Sequence, residues 1–226
     1  MSIDYFPLDV AANKAFCNRV SERQRIVSNI KMLKHTLITA PRRFGKTSLS
    51  LQSINDSKVI GHKVDLMLST DAIGTRNIIL KGIGDLVVKV SKGKRKVLAL
   101  AKQLFSDFTF DISVNLSSVR ANIKLKEPLM PQIAITKSLE QLDNLLGKLG
   151  VTAVLFMDEF QQIGTIHDHY VIEASIRSQA QVSKNLVFIF SGSNRQMLLN
   201  MFDDKNRPLY NMCDHIVLDR IHELDY

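Results

Sequence analysis

His35-Thr-Leu-Ile-Thr-Ala40-Pro-Arg-Arg-Phe-Gly45-Lys-Thr-Ser-Leu-Ser-Leu51 is the stretch on which the fold turns. Leu37 and Ile38 form a short apolar run entering a tight loop, and Gly45, Lys46, Thr47 and Ser48 lead out into a segment that can be helical. The pattern A-x-x-x-x-G-K-T is that of a phosphate-binding P-loop, with Ala40 where its first glycine usually stands. Backbone N–H groups at a helix N-terminus bind a triphosphate, and the helix dipole favours negative charge there. Gly45 admits the backbone to the anion, Lys46 brings a point charge to the outer phosphates, and the Thr47 hydroxyl is a ligand for Mg²⁺. Alanine at position 40 is tolerable because Pro41 pushes the preceding residue towards negative φ, where glycine has no advantage. The expected nucleotide-binding residues are therefore Ala40, Pro41, Arg42, Arg43, Phe44, Gly45, Lys46, Thr47 and Ser48.

A second stretch supplies the context. Val151-Thr-Ala-Val-Leu-Phe-Met-Asp158-Glu159 is an apolar run ending in two acids, which suits a strand buried on both faces of a parallel sheet. Open α/β sheets bind ligands at the carboxyl ends of their strands, so the acids are expected beside the P-loop. Asp158 is then a metal ligand together with Thr47, and Glu159 orients or deprotonates the attacking water. The blander alternative is a strand followed by a solvated acidic turn.

Around these two stretches the chain alternates. Ile26, Val27, Ile30 and Leu33 have helical spacing, with Ser21 as the expected N-cap. Residues 62 to 68 read as a strand and 71 to 90 as an apolar-faced helix, despite Gly82 and Gly84. The cluster Lys92-Gly-Lys-Arg-Lys96 reads as a solvated loop or helix end, or else as a contact for nucleic acid or a partner. From 108 to 125 the apolar period becomes two on both sides of Ser117-Ser118, which predicts a β-hairpin insertion at about 107–126. Its other face carries Arg120, Lys124 and Lys126, either as guards of a strand edge or as a docking element. Pro131 opens a helix through Ile135, Leu139, Leu142 and Leu146 that Gly150 closes. After the acid-tipped strand come a helix with Ile172 and Ile176, a buried strand at 186–190 and a last strand at 215–219. Ser193 and Asn194 follow the strand at 186–190, placed either to sense the γ-phosphate or water, or to cap the next helix. The fold class is α/β, a P-loop αβα sandwich.

Composition narrows the classes. At 226 residues and 45% hydrophobic, the chain buries a sizeable core as one domain, 1–226. No apolar run approaches the roughly 20 residues of a membrane span, and the N-terminus lacks a signal-peptide pattern, so no membrane contact and a cytoplasmic location are expected. Cys17 and Cys213 have no metal-site or disulfide-framework spacing. A net charge of +8 permits contact with DNA or an acidic partner without requiring it.

With these residues in view, the chain resembles the AAA-type P-loop ATPases. It looks most like the prokaryotic ATPase-domain family near the replication-initiator and STAND groups. Asn18-Arg19 and Glu22 match that family's G/N-R-x-x-E box, and Ala40 to Leu49 its G-P-R-R-x-G-K-T-S-L loop. Phe156 to Glu159 match the acidic strand, Phe190 to Ser193 the F-S-G-S strand end, and Arg207 to Tyr210 the R-P-L/F-Y segment. The resemblance implies a five-stranded parallel sheet of order 5-1-4-3-2, with ATP and Mg²⁺ as ligands. It implies Phe16 to Val20, Arg19 included, near the adenine. Arg207 is implied as an arginine finger acting in trans in a homo-oligomer; pairing with Asp203 or capping a helix are its alternatives. The family usually continues into a helical lid and often a winged helix. This sequence ends at Tyr226, so lid and winged helix are expected to be absent and hydrolysis by this chain weak. The activity expected is Mg²⁺-dependent ATP hydrolysis coupled to conformational change. The alternatives are a nucleotide-controlled regulatory switch or DNA-associated protein with little hydrolysis and, less favoured, a small-molecule kinase.

Overall fold

The computed structural model of the chain describes residues 19–92, 94–115 and 118–220, with the side chains of 110–122 left aside. The expectations for Phe16, Cys17 and Asn18, and for the Arg120 side chain, lie outside the described residues.

Five strands form one sheet: β1 (Thr36–Thr39), β2 (Ile60–Asp65), β5 (Ala153–Asp158), β6 (Leu186–Gly192) and β7 (Asp214–Val217). Their spatial order is β2-β5-β6-β1-β7, and every neighbouring pair is parallel. Numbered one to five along the chain, this is the expected order 5-1-4-3-2. The central strands are apolar throughout because both their faces are covered. In β5, Val154 and Phe156 enter one core with Ile26 and Ile30 of α1 (Val20–Lys31) and Leu49 of α2 (Lys46–Ser57). Leu155 and Met157 enter the other, beneath α3 (Ala72–Ser91), α5 (Pro131–Leu149), α6 (His169–Val182) and α7 (Arg195–Phe202). β6 divides its side chains likewise, Val187 and Ile189 against Phe188 and Phe190.

Between α3 and α5 the chain makes α4 (Arg95–Leu104) and the hairpin of β3 (Phe108–Asn115) and β4 (Ser118–Leu125), which among the described residues pairs with no strand of the main sheet. The hairpin has the predicted extent, and Phe108 and Ile123 extend the α3 side of the core. Helix α4 is absent from the sequence reading. The basic cluster is the joint between α3 and α4: Lys92 is the left-handed C-cap of one and Lys94 the N-cap position of the other.

Other expectations need correction. α1 begins at Val20 with Arg19 in the left-handed conformation as its N-cap residue, so Ser21 lies inside the helix and its hydroxyl donates to Glu22 at 2.8 Å. The second strand occupies 60–65 rather than 62–68, since Asp65 caps the turn by accepting the Met67 N–H at 3.0 Å. The last strand begins one residue earlier than expected and stops at Val217.

Candidate active site

Strand β6 lies between β1 and β5, so three strand ends meet at one place on the carboxyl rim. The loop after β1 contributes Lys46 and Thr47, β5 contributes Asp158 and Glu159, and β6 contributes Ser191 to Ser193.

The loop has the backbone of an anion cradle. Arg43 and Gly45 both take positive φ, 66° and 80°, a pattern that turns successive N–H groups towards a common point. Ala40 is not among the positive-φ residues and is buried, so a side chain there is compatible with the loop. Arg42 and Arg43 are exposed. Gly45 is the N-cap residue of α2, whose first-turn amides have no acceptor within the helix. The Lys46 ammonium is buried and donates to the carbonyls of Ala40 at 2.9 Å and Pro41 at 3.0 Å. Burial pushes its pKa down, while Glu159 and Asp158 pull it back up. A cation resting on neutral carbonyls close to two acids is well placed to receive an anion.

Asp158 is 4% exposed and joins the two motifs. The Thr47 hydroxyl donates to its Oδ2 at 2.8 Å. Its Oδ1 accepts from the Ser191 hydroxyl and, at 3.1 Å, from the Glu159 N–H. Lys63 of β2 stands 3.7 Å from Oδ2, held there by Asp65 at 3.0 Å. Glu159 has φ 52°, a conformation that costs a non-glycine residue about 1 kcal/mol or more and is concentrated at functional sites. Its Oε2 accepts from both Gln161 and, at 3.0 Å, the Ser193 hydroxyl.

The donor set suits a nucleotide-bound Mg²⁺. Thr47 and Asp158 offer hard oxygens in mutual contact, beside a buried ammonium. Among the described residues no group of three His, Cys, Asp or Glu gathers. That fits an ion that takes one or two protein ligands and completes its shell with phosphate and water.

Three predicted residues are engaged in other contacts. Asn194 is the N-cap of α7, accepting the Met197 N–H at 3.1 Å, so geometry uses it as a cap. Arg207 pairs with Glu173 of α6 through Nε at 3.2 Å and Nη2, and lies 4.7 Å from the centre of the Tyr170 ring. Glu173, not Asp203, is its partner; burial pushes that carboxyl up to about 7, against the pull of Arg207. Arg19 bridges Glu22 at 3.1 Å and the Asp219 carbonyl, closing α1 onto the end of β7.

Three residues at the site escape a reading of the sequence. Ser191 is visible inside the polar strand tip, but its neighbours draw the assignment. Gln161 looks like a loop residue. Its place depends on Gly192, where a Cβ would stand 1.9 Å from the Gln161 Oε1. Lys63 carries no local signal, since its proximity to Asp158 comes only from the β2–β5 pairing.

These strands, this loop and these acids define a P-loop NTPase-like α/β fold with a small antiparallel hairpin. No protein-family model matches the chain, and no curated protein matches it in sequence. Solved structures do match. The Walker-type ATPase PABY2304 of Pyrococcus abyssi superposes with a TM-score of 0.63 at 18% identity, over 94% of this chain and 56% of that one. The ORC1 protein of Aeropyrum pernix, solved in complex with DNA, gives 0.58 at 11% identity, over 93% and 47%. The ORC2 protein of the same organism, solved as ADPNP–ADP complexes, gives 0.52 at 12%, over 94% and 50%. The likeness is one of fold, and the chain spans about half the length of these proteins.

Proposed function

We propose that this chain is the ATP-binding module of an AAA-type ATPase and hydrolyses ATP with Mg²⁺ in step with a conformational change. One observation carries the reading: the 2.8 Å hydrogen bond from Thr47 to Asp158, which joins the P-loop to the acid-tipped strand. Lys46 and the amides of residues 43–48 hold the phosphates. Thr47 and Asp158 hold the metal, which when bound offsets charge on the phosphate oxygens. Glu159 orients water and accepts its proton at the carboxylate, with Gln161 and Ser193 fixing that carboxylate. Arg207 has a structural role in this reading, because its guanidinium is already committed to Glu173.

The test is turnover of ATP by the chain and by Glu159→Gln. The variant should bind ATP as the parent does and lose hydrolysis by about a hundredfold or more. Unchanged turnover would remove Glu159 from the chemistry.

The exposed basic joint between α3 and α4 supports a second reading, a DNA-associated switch in which slow hydrolysis only resets the conformation. On that reading DNA binding weakens steeply with salt and is lost when Lys92, Lys94, Arg95 and Lys96 are neutralised. On either reading we place the protein in the cytoplasm; among the described residues no helix is long and apolar enough to cross a membrane.

A further inference from the structure

A cleft of about 480 Å³ lies between α3 and β4, and none of the nucleotide residues lines it. Its volume falls within the range of binding pockets, roughly 300 to 1,000 Å³. Leu80, Ile123 and Leu125 give it an apolar floor, and Arg76, Lys81 and Lys124 line it with positive charge. Among the described residues neither Arg76 nor Lys81 forms an ion pair. Arg76 is turned onto uncharged acceptors, the Asn77 side-chain oxygen at 2.9 Å and the Leu129 carbonyl at 3.5 Å. The last contact brings the first turns of α3 against the segment entering α5. Apolar side chains are exposed on both: Ile73 at 56%, Met130 at 63% and Ile133 at 42%. Scattered exposed apolar residues are ordinary, but these belong to the two segments that Arg76, a lining residue of the cleft, joins.

The occupant follows from this combination. Arg76 and Lys81, cations without carboxylate partners among the described residues, call for an anionic ligand, and the apolar floor and those exposed side chains call for one that also carries hydrocarbon. Among the described residues the lining holds no aromatic ring on which a nucleic-acid base would stack. A second copy of this chain brings a net charge of +8 against a basic surface, which opposes association. We propose that the cleft between α3 and β4 docks an acidic segment of a partner protein, one in which Asp and Glu alternate with leucine-like side chains.

The probe is a fluorescein-labelled synthetic peptide of Asp, Glu and Leu, titrated against the nucleotide-free chain by anisotropy. Beside it stand oligoglutamate of equal charge, a single-stranded oligothymidylate and sedimentation of the protein alone. The mixed peptide should bind saturably and about tenfold more tightly than oligoglutamate. Lys81→Glu combined with Lys124→Glu should weaken it by about tenfold or more, as should Met130→Ser combined with Ile133→Ser. All four positions are exposed, and an unchanged melting temperature would show that the variants fold. Lack of saturable binding by the mixed peptide overturns the proposal. So does equal binding by oligoglutamate or oligothymidylate, which would mean a surface that reads charge alone, or concentration-dependent dimerisation blocked by the same substitutions.

Discussion

Both side chains that reach Glu159 do so at Oε2, and among the described residues its Oε1 accepts nothing. The arrangement fixes the carboxylate through one oxygen and presents the other. Gln161→Met should therefore lower kcat by about ten- to a hundredfold with ATP affinity kept. A loss confined to KM would show that Gln161 only packs. Gly192→Ala should imitate it, because the added Cβ meets the Gln161 amide oxygen at 1.9 Å and a flexible amide gives way before backbone does. The double variant should then cost little more than either single one. Lys46, Thr47 and Asp158 are legible in the sequence because their chemistry is carried by short local patterns. The role of Gln161 is not, since it depends on a missing Cβ 31 positions away, a relation that no local spacing records.

At the scale of elements, Gly82 weakens α3 by propensity yet stands where the helix crosses β2. A Cβ there would lie 2.3 Å from Cγ2 of Val64, a β-branched side chain with little room to turn. Gly82→Ala should destabilise the fold by about 1–3 kcal/mol in urea denaturation, and Val64→Ala in the same chain should recover part of that loss. If Gly82→Ala is as stable as the parent, the close crossing is wrong. In the sequence the glycine reads as an interruption because periodicity is the signal for the helix, whereas its cause is contact with a strand. Helix α4 escapes for a related reason: Ala101 is its one fully buried residue, and the basic joint before it reads as loop. The hairpin is legible to within a residue at either end, because period two on both sides of a short polar break is the mark of two paired strands sharing one apolar face.

At the scale of the molecule, His35 ties three elements together. Its Nδ1 accepts the Phe188 N–H at 3.2 Å and its Nε2–H donates to the Ala180 carbonyl at 2.9 Å, so only the neutral ring satisfies both. Burial pushes its pKa down. The unfolded chain takes a proton near pH 6.5 and the native one only below that, so this stabilisation is present above about pH 6.5 and lost as pH falls towards the native value. The melting temperature should fall with acid through that window, with a shallower slope in His35→Gln; equal slopes would contradict the assignment. The order of the sheet is legible because resemblance and apolar runs agree. The pairing of Arg207 with Glu173 is not, since it joins segments 34 positions apart through side chains alone. The central claim is that the turn bearing Lys46 and the strand tip bearing Asp158 form one phosphate and metal pocket. Its most direct test is calorimetric titration of ATP, with and without Mg²⁺, into the parent chain, Lys46→Ala and Asp158→Asn. The parent should bind ATP more tightly with the metal, Lys46→Ala should bind about a hundredfold more weakly, and Asp158→Asn should lose only the metal-dependent part. Equal affinities in all three proteins, with and without Mg²⁺, would contradict that claim.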